Sequence, residues 1–399
     1  MKSLLTIIKY LLLTLFLLIT GGFAVMYSLD PVVTTRIAQV PFKGIVGPRE
    51  RVPGGKPIEI PASTSAAISQ AVVDQAVAYG EETGSHALII FRDDGIEVEK
   101  YYPGYNADSI SQTQSMHKSV LALLVGLAIE DGYIGSIDDS AALYLPEWSG
   151  DDRAKITIRQ MLRQTSGIDF ATVGINPLGG FYQLMLGADV SAAALELPLD
   201  VEPGTQFDYN SAIPQNMGLI IQRATGQRYA RYLSQALWQH IGAPDAFVVL
   251  DSDEKSMPRT SCCLDATARS WLHIGLLHLD EGQIGGRQVV PAEWISDVAT
   301  PGDINPNYGY FTWLGSEYEQ FRRYNRKTSV RVFHSEPYVA EDVIYFDGFG
   351  GQRVYIIPSF RLVIVRTGDT SQSWDDAYLP NLIVRDLIKN APDPTRESD

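Results

Sequence analysis

The stretch Ser115-Met116-His117-Lys118-Ser119 opens a long apolar run, Val120-Leu-Ala-Leu-Leu-Val-Gly-Leu-Ala-Ile-Glu-Asp131. The run is too long, and too rich in Leu and Ala, for a strand, so it reads as a buried helix stopped at Gly132. Residues three apart share a helix face, so Ser115 and Lys118 can meet. Ser115 falls in the first turn, where unpaired N–H groups and the helix dipole favour negative charge. A hydroxyl there ionises more easily, and an adjacent amine can take or steer its proton. His117 points to another face and makes a poor base for Ser115. A helix-capping serine beside a solvated lysine would show the same short pattern, so the reading depends on what accompanies it.

Working outward, the 399 residues suit one large domain or two closely packed lobes once the N-terminus is set aside. A formal charge of −15 disfavours nucleic acid and other polyanions as partners. Residues 4–27 are almost wholly apolar, with Lys2 and Lys9 on the N-terminal side. From Tyr10 to Tyr27 the segment is uncharged and just long enough to span a bilayer. An uncleaved anchor over residues 1–28, N-terminus in the cytoplasm, is expected. The rival is a cleavable signal, whose small-x-small site is represented only by Gly22-Phe23-Ala24. Either way the rest of the chain is expected to be exported. Residues 29–62, with six prolines and Gly54-Gly55, read as an irregular linker or arm.

The remainder, 63–390, reads as one α/β (α+β) domain, followed by a polar tail over 391–399. A helix over Ile68–Gly80 precedes His86–Phe91 and Ile96–Tyr102, strands joined by Arg92-Asp-Asp-Gly95, a hairpin signal. A mainly helical lobe over about 103–302 follows, with helices at Thr157–Gln164, Pro214–Thr225, Tyr229–Ile241 and Ala266–Glu281. Strands return at Tyr308–Leu314, Val343–Phe346, Arg353–Ile357 and Leu362–Arg366, before a closing helix from Asp375 to Lys389. Short connections favour an antiparallel sheet with the first and last helices on one face and the inserted lobe on the other. Ser115 then lies at the seam, a common place for a site.

Two further stretches carry chemistry. Val201-Glu-Pro-Gly-Thr-Gln-Phe-Asp-Tyr209-Asn210-Ser211 makes a turn just before the Pro214 helix. It can bring the Tyr209 phenol to the seam, where a neighbouring ammonium would lower its pKa and make it a general base. A rim tyrosine followed by a helix-capping Ser211 is the plain alternative. Asp347-Gly348-Phe349-Gly350-Gly351-Gln352-Arg353 leads into a strand. Its glycines permit close backbone approach to a ligand, and an edge strand there would offer the Gln352 N–H beside that of Ser115 as an oxyanion hole. A hairpin turn needing φ > 0 explains the same glycines. The adjacent Cys262 and Cys263 do not readily reach disulfide geometry and read as small core residues. The histidines build no metal site: His273 and His278 fall on separate faces of one helix, and no His-Glu-x-x-His occurs. No Gly-x-Ser-x-Gly elbow occurs either.

Together the three stretches resemble the serine β-lactamase and penicillin-binding-protein superfamily, and within it the esterase and 6-aminohexanoate-dimer hydrolase branch (class C β-lactamase-like). Met161-Leu-Arg-Gln-Thr-Ser-Gly167, Cys263-Leu-Asp-Ala-Thr-Ala-Arg269 and Gly351-Gln352 with Pro358 add to the likeness, which covers residues 63–390. The resemblance implies Ser115 as acylated nucleophile and Lys118 as acceptor of its proton or holder of a Tyr209 phenolate. It implies Tyr209 as base and later proton donor, and the N–H groups of Ser115 and Gln352 as oxyanion donors. It implies no cofactor and no metal. Two departures bear on substrate. Ser211 stands where β-lactam-recognising relatives have asparagine, and Phe349-Gly350-Gly351 stands where they have a cation, Thr or Ser, then Gly. A phenyl ring cannot pair with a substrate carboxylate, and Arg353 is the nearest replacement. Esters or uncharged amides are therefore favoured over β-lactams or wall peptides, with Tyr308, Tyr310 and Trp313 as an apolar lining. A catalytically idle module that binds wall fragments is the alternative from another class.

Overall fold

The computed structural model describes residues 2–169 and 176–391; the expected polar tail from 392 onward lies outside them. Alternating apolar residues build the central sheet. Ile89, Phe91, Val354, Ile356, Val363 and Val365 enter one core. Leu88, Ile90, Tyr355, Ile357, Leu362 and Ile364 enter another on the opposite face. Burial on both faces removes the apolar–polar alternation that a solvated sheet would show. Six antiparallel strands result, in the order Gly95–Tyr101, Ser85–Arg92, Leu362–Gly368, Gln352–Ile357, Ile344–Gly348, Trp313–Leu314. The first two pair Arg92 with Gly95, as the hairpin signal implied.

The helices Gln70–Glu82 and Tyr378–Asn390 cover the second face through Val72, Ala76, Leu379, Ile383 and Leu387. On the first face lies Ala268–Leu279. Behind it, within the same core, lies His117–Glu130, twelve of whose residues are buried. The Trp294 indole N–H donates to the Ala122 carbonyl at 3.0 Å and fixes the helix Ala292–Val298 against it. The first and last helices thus share one face and the insert takes the other, as expected.

Four expectations need correction. The 29–62 arm is not irregular. Asp30 caps a helix, Pro31–Lys43, with proline at its first position, and Arg49–Val52 forms a strand paired with Ala246–Val249. That partner lies some two hundred residues away, beyond the reach of local pattern. The insert is mainly helical, as expected, and it carries strands as well. Three of its strands join the arm's Arg49–Val52 in a four-stranded sheet ordered Arg49–Val52, Ala246–Val249, Leu264–Thr267, Ile110–Gln112. Tyr229–Ile241 is a short α-helix continued by a π-helical turn, and Tyr308–Leu314 keeps strand pairing only at Trp313–Leu314. Cys262 and Cys263 are buried core residues, but their sulfurs are joined in a disulfide between neighbours. The backbone accommodates this with Cys263 at φ 72°.

The N-terminal helix Lys2–Leu29 contains one segment, Leu4–Leu29, long and apolar enough to cross a membrane. Its apolar side chains are exposed. One residue separates it from Pro31–Lys43, which is fixed to the domain. The buried Arg36 guanidinium donates to the carbonyls of Leu186, Gly187 and Asp251. The Gln183 amide donates to Asp30 at 2.7 Å.

Candidate active site

Ser115 lies in a short 3-10 turn, Gln114–Met116, that feeds the helix His117–Glu130. Gln114 takes a left-handed backbone, φ 53°, immediately before it. Such conformations in non-glycine residues cost energy and gather at functional sites. Ser115 is half-buried, so its hydroxyl remains reachable. Lys118 is 1% exposed, and its Nζ lies 2.6 Å from Ser115 Oγ. The same nitrogen donates to the Ser261 carbonyl at 2.5 Å. Burial lowers the Lys118 pKa to about 7, against an opposing pull from Asp347. His117 faces elsewhere: its ring meets the Cys262 carbonyl and the Tyr229 hydroxyl.

Tyr209 comes to the same place from 91 residues further on, by a loop tied down on both sides. Its N–H donates to the Tyr324 carbonyl at 3.0 Å, and its own carbonyl accepts from Asn325 at 3.1 Å. Its ring packs beside the Ser115–Lys118 pair, with Lys118 Nζ 4.8 Å from its centre. The expected fall in the phenol pKa is not found. Burial first, and the Asp347 carboxylate second, push it up, so Tyr209 is a neutral phenol at ordinary pH.

Asn210 explains the altered motif. It is 2% exposed, donates to the carbonyls of Ile168 and Asp169, and accepts from the Ala212 N–H. It therefore caps the helix Ala212–Thr225, while Ser211 stands at the N-cap position with no side-chain cap bond.

The glycine stretch is a hairpin turn. Gly348 pairs with Gln352, and Gly350 and Gly351 take φ 81° and 88°. Phe349 projects at the tip, 49% exposed. The strand Gln352–Ile357 is interior rather than an edge, because Leu362–Gly368 continues the sheet beyond it. The Ser115 turn nevertheless packs on both strands of this hairpin. At Gly348 a Cβ would run into the Thr113 carbonyl, so only glycine allows that approach. The Gln352 side chain holds Gly368, accepting from its N–H and donating to its carbonyl.

Three other expectations change. Arg353 is 1% exposed and bound to Asp347 at 2.7 Å and Asp376 at 2.8 Å, so it is not a free cation for a substrate carboxylate. Tyr308 and Trp313 are buried, and with Phe207 and Tyr324 they form an aromatic wall behind Tyr209 rather than an open lining. Tyr310 lies apart, taking a hydrogen bond from Arg159 and packing under Arg163.

Sequence reading missed Asp347, Arg322, Tyr324 and Asp376. Arg322 reaches Asp347 at 2.5 Å and Asp376 at 3.3 Å, and the Tyr324 hydroxyl donates to Asp347. The signal available was an aspartate closing an otherwise apolar strand, Val343-Ile-Tyr-Phe-Asp347, with Arg353 shortly after it.

An alcohol in contact with an amine of lowered pKa, and a phenol ring beside that amine, can run acyl transfer through a covalent serine ester. Comparison with known proteins agrees. Residues 71–383, well over half of the chain, match the family model described as Beta-lactamase. The chain belongs to the beta-lactamase family of serine hydrolases. It is similar to the 6-aminohexanoate-dimer hydrolase of Paenarthrobacter ureafaciens, 26% identical over 232 residues, 56% of this chain and 59% of that protein. The match thus spans little more than half of that relative's length. Among solved structures, it resembles a provisionally named 6-aminohexanoate-dimer hydrolase from Bacillus anthracis. The TM-score is 0.67 at 19% identity, covering 90% of this chain and 92% of the other. It also resembles a family VIII carboxylesterase, with a TM-score of 0.59 at 17% identity, covering 82% of this chain and all of that one. At these identities the two structures speak for the fold.

Proposed function

We propose that this family member is a membrane-anchored serine hydrolase that cleaves esters or uncharged amides through an acyl-enzyme on Ser115. The contact between Lys118 Nζ and Ser115 Oγ at 2.6 Å carries the reading, because that amine is half-deprotonated near pH 7. In this reading Lys118, as the free amine, takes the Ser115 proton while Oγ attacks the carbonyl carbon. The oxyanion is met by the N–H groups of Ser115 and Gln352; one such donor is typically worth about 100- to 1,000-fold in rate. The Tyr209 phenol passes its proton to the leaving alkoxide or amine and is reprotonated from the Lys118 ammonium. Water then hydrolyses the serine ester by the same groups in reverse. Every step uses side chains and main-chain N–H groups only.

Substrate preference follows from charge. Phe349 stands where β-lactam-recognising relatives carry a cation, and Arg353 is held between two carboxylates, which favours neutral substrates. Ser211, Phe349, Gly350 and Gly351 are the proposed substrate contacts, with Tyr308 and Trp313 supporting Tyr209 from behind. The helix Leu4–Leu29 supports anchoring, and the fixed Pro31–Lys43 helix would hold the domain close to the bilayer on its exported side.

Fluorophosphonate labelling with intact-mass analysis tests the assignment. The native chain should gain one adduct, and Ser115→Ala should gain none and lose at least about a thousand-fold in esterase rate. An adduct persisting in Ser115→Ala removes Ser115 from the role. The family's name keeps β-lactam hydrolysis as the second reading. Faster turnover of a chromogenic cephalosporin than of a short-chain nitrophenyl ester would favour it.

A further inference from the structure

Behind the site lies a closed group of four charges. Arg322 and Arg353 each bind both Asp347 and Asp376, and none of the four is more than 8% exposed. Two cations and two anions balance, so the group as a whole adds no net charge. Its members differ in what else they touch. Asp376 turns to the far side, where it accepts from the Trp374 indole at 2.9 Å. Asp347 turns to the site. Its two oxygens accept from the Tyr324 hydroxyl at 3.1 and 3.0 Å, and the Tyr324 main-chain carbonyl holds the Tyr209 N–H. Asp347 is also followed directly by Gly348, the residue whose bare Cα lets the hairpin close on the Ser115 turn.

We infer that Asp347 is a positioning residue for the reaction. Through Tyr324 it fixes the main chain that carries Tyr209, and its own strand, Ile344–Gly348, packs on the turn that carries Ser115. The proposal rests on Lys118 acting as the base. Lys118 has Ser115 ahead of it, the Ser261 carbonyl across from it, Tyr209 from the loop and Asp347 from the strand Ile344–Gly348. His117, its neighbour on the same helix, is neutral at working pH because burial lowers its pKa to about 4. Arg322 and Arg353 face Tyr209 from behind and lower its pKa. Among the described residues Asp347 is therefore the carboxylate that raises the Lys118 pKa, and it raises that of Tyr209 as well. Neutralising it removes the pull that raises the Lys118 pKa and leaves the two guanidinium groups under-balanced beside Tyr209. The ammonium then loses its proton at lower pH, and the phenol ionises at lower pH too.

The test is the pH dependence of the second-order rate of fluorophosphonate labelling at Ser115, measured on the full chain. Asp347→Asn should move the acid-side midpoint down by about one pH unit relative to the native chain. Asp376→Asn removes the same charge from the same group without touching Tyr324, and should move it by much less. Tyr324→Phe keeps all four charges. It should leave the midpoint in place and lower the rate at every pH, because Tyr209 loses its support. Equal midpoints in Asp347→Asn and the native chain overturn the inference, as do equal shifts in the two aspartate variants. Should Asp347→Asn fail to fold, a downward midpoint shift in Tyr324→Phe that matches Asp376→Asn also overturns it. Failure of the underlying assignment looks different: Ser115 in the native chain would then label without any midpoint near neutrality.

Discussion

The two sides of the site are held by different physics. Ser115 and Lys118 are three residues apart, and the turn leading into one helix is enough to bring them together. Tyr209 has no such local support. It depends on a main-chain bond to Tyr324, on the Asn325 side-chain amide and on the buried charges behind them. The near side is thus a property of local geometry, and the far side a property of the finished fold. Substitutions should separate the two. Lys118→Met should cost the most, about 10³- to 10⁴-fold in kcat/KM, because it removes the amine in contact with the Ser115 hydroxyl. Tyr209→Phe should cost about 100-fold, since only the proton to the leaving group is lost. Esterase assays on both variants check the order, and a reversed order would place the base on the far side.

The pH profile sharpens the same contrast. The folded-state Lys118 pKa is lowered to about 7 by burial, and only the free amine can act as base. Native kcat/KM should therefore rise with pH through a midpoint near 7 and level off above it. Tyr209, pushed up instead of down, stays protonated across that range and sets no midpoint there. A flat profile from about pH 5 to 9 would contradict the role given to the amine.

A smaller effect tests how the far side is anchored. Asn210 satisfies one buried carbonyl, one part-buried carbonyl and one helix N–H. Asn210→Ala leaves these unpaired, which costs about 1–3 kcal/mol. The loss should appear as a lower urea midpoint with an unchanged slope. Its kinetic effect should fall on kcat more than on KM, because the loop that it pins carries Tyr209.

How much of this was legible follows the same division. The hairpin at Arg92–Gly95, the buried helix after Ser115 and the Ser115–Lys118 spacing are local patterns, and sequence reading found them. The convergence of Tyr209 came through resemblance rather than through spacing. What stayed hidden depends on distant pairing. The strand Arg49–Val52 finds its partner only at Ala246–Val249, so a proline-rich arm read as loop. The charges of Asp347, Arg322, Arg353 and Asp376 look like ordinary surface residues until the fold buries them together. The Tyr209 phenol was expected to drop beside an ammonium. Burial instead made the lysine give up its proton more readily, so the neighbouring positive charge is weakened at the pH where it mattered.

The last expected effect is the smallest and bears on which contacts hold the far side. Arg326 binds Asp208, the residue before Tyr209, at 2.7 Å and Asp200 at 3.2 Å. By distance alone this pair rivals the buried cluster. Its guanidinium is 42% exposed, however, so water and salt screen it, and exposed pairs contribute about 0.2–1 kcal/mol. The Arg326 main-chain N–H also donates to Asp208, and that bond survives loss of the side chain. Arg326→Ala should therefore lower stability by well under 1 kcal/mol and change kcat/KM by less than about threefold. Raising the salt to about 0.5 M should shrink even that difference, since the native pair is the one being screened. A loss approaching that of Tyr209→Phe would mean that the surface pair holds the tyrosine. The buried carboxylates would then be incidental to the site.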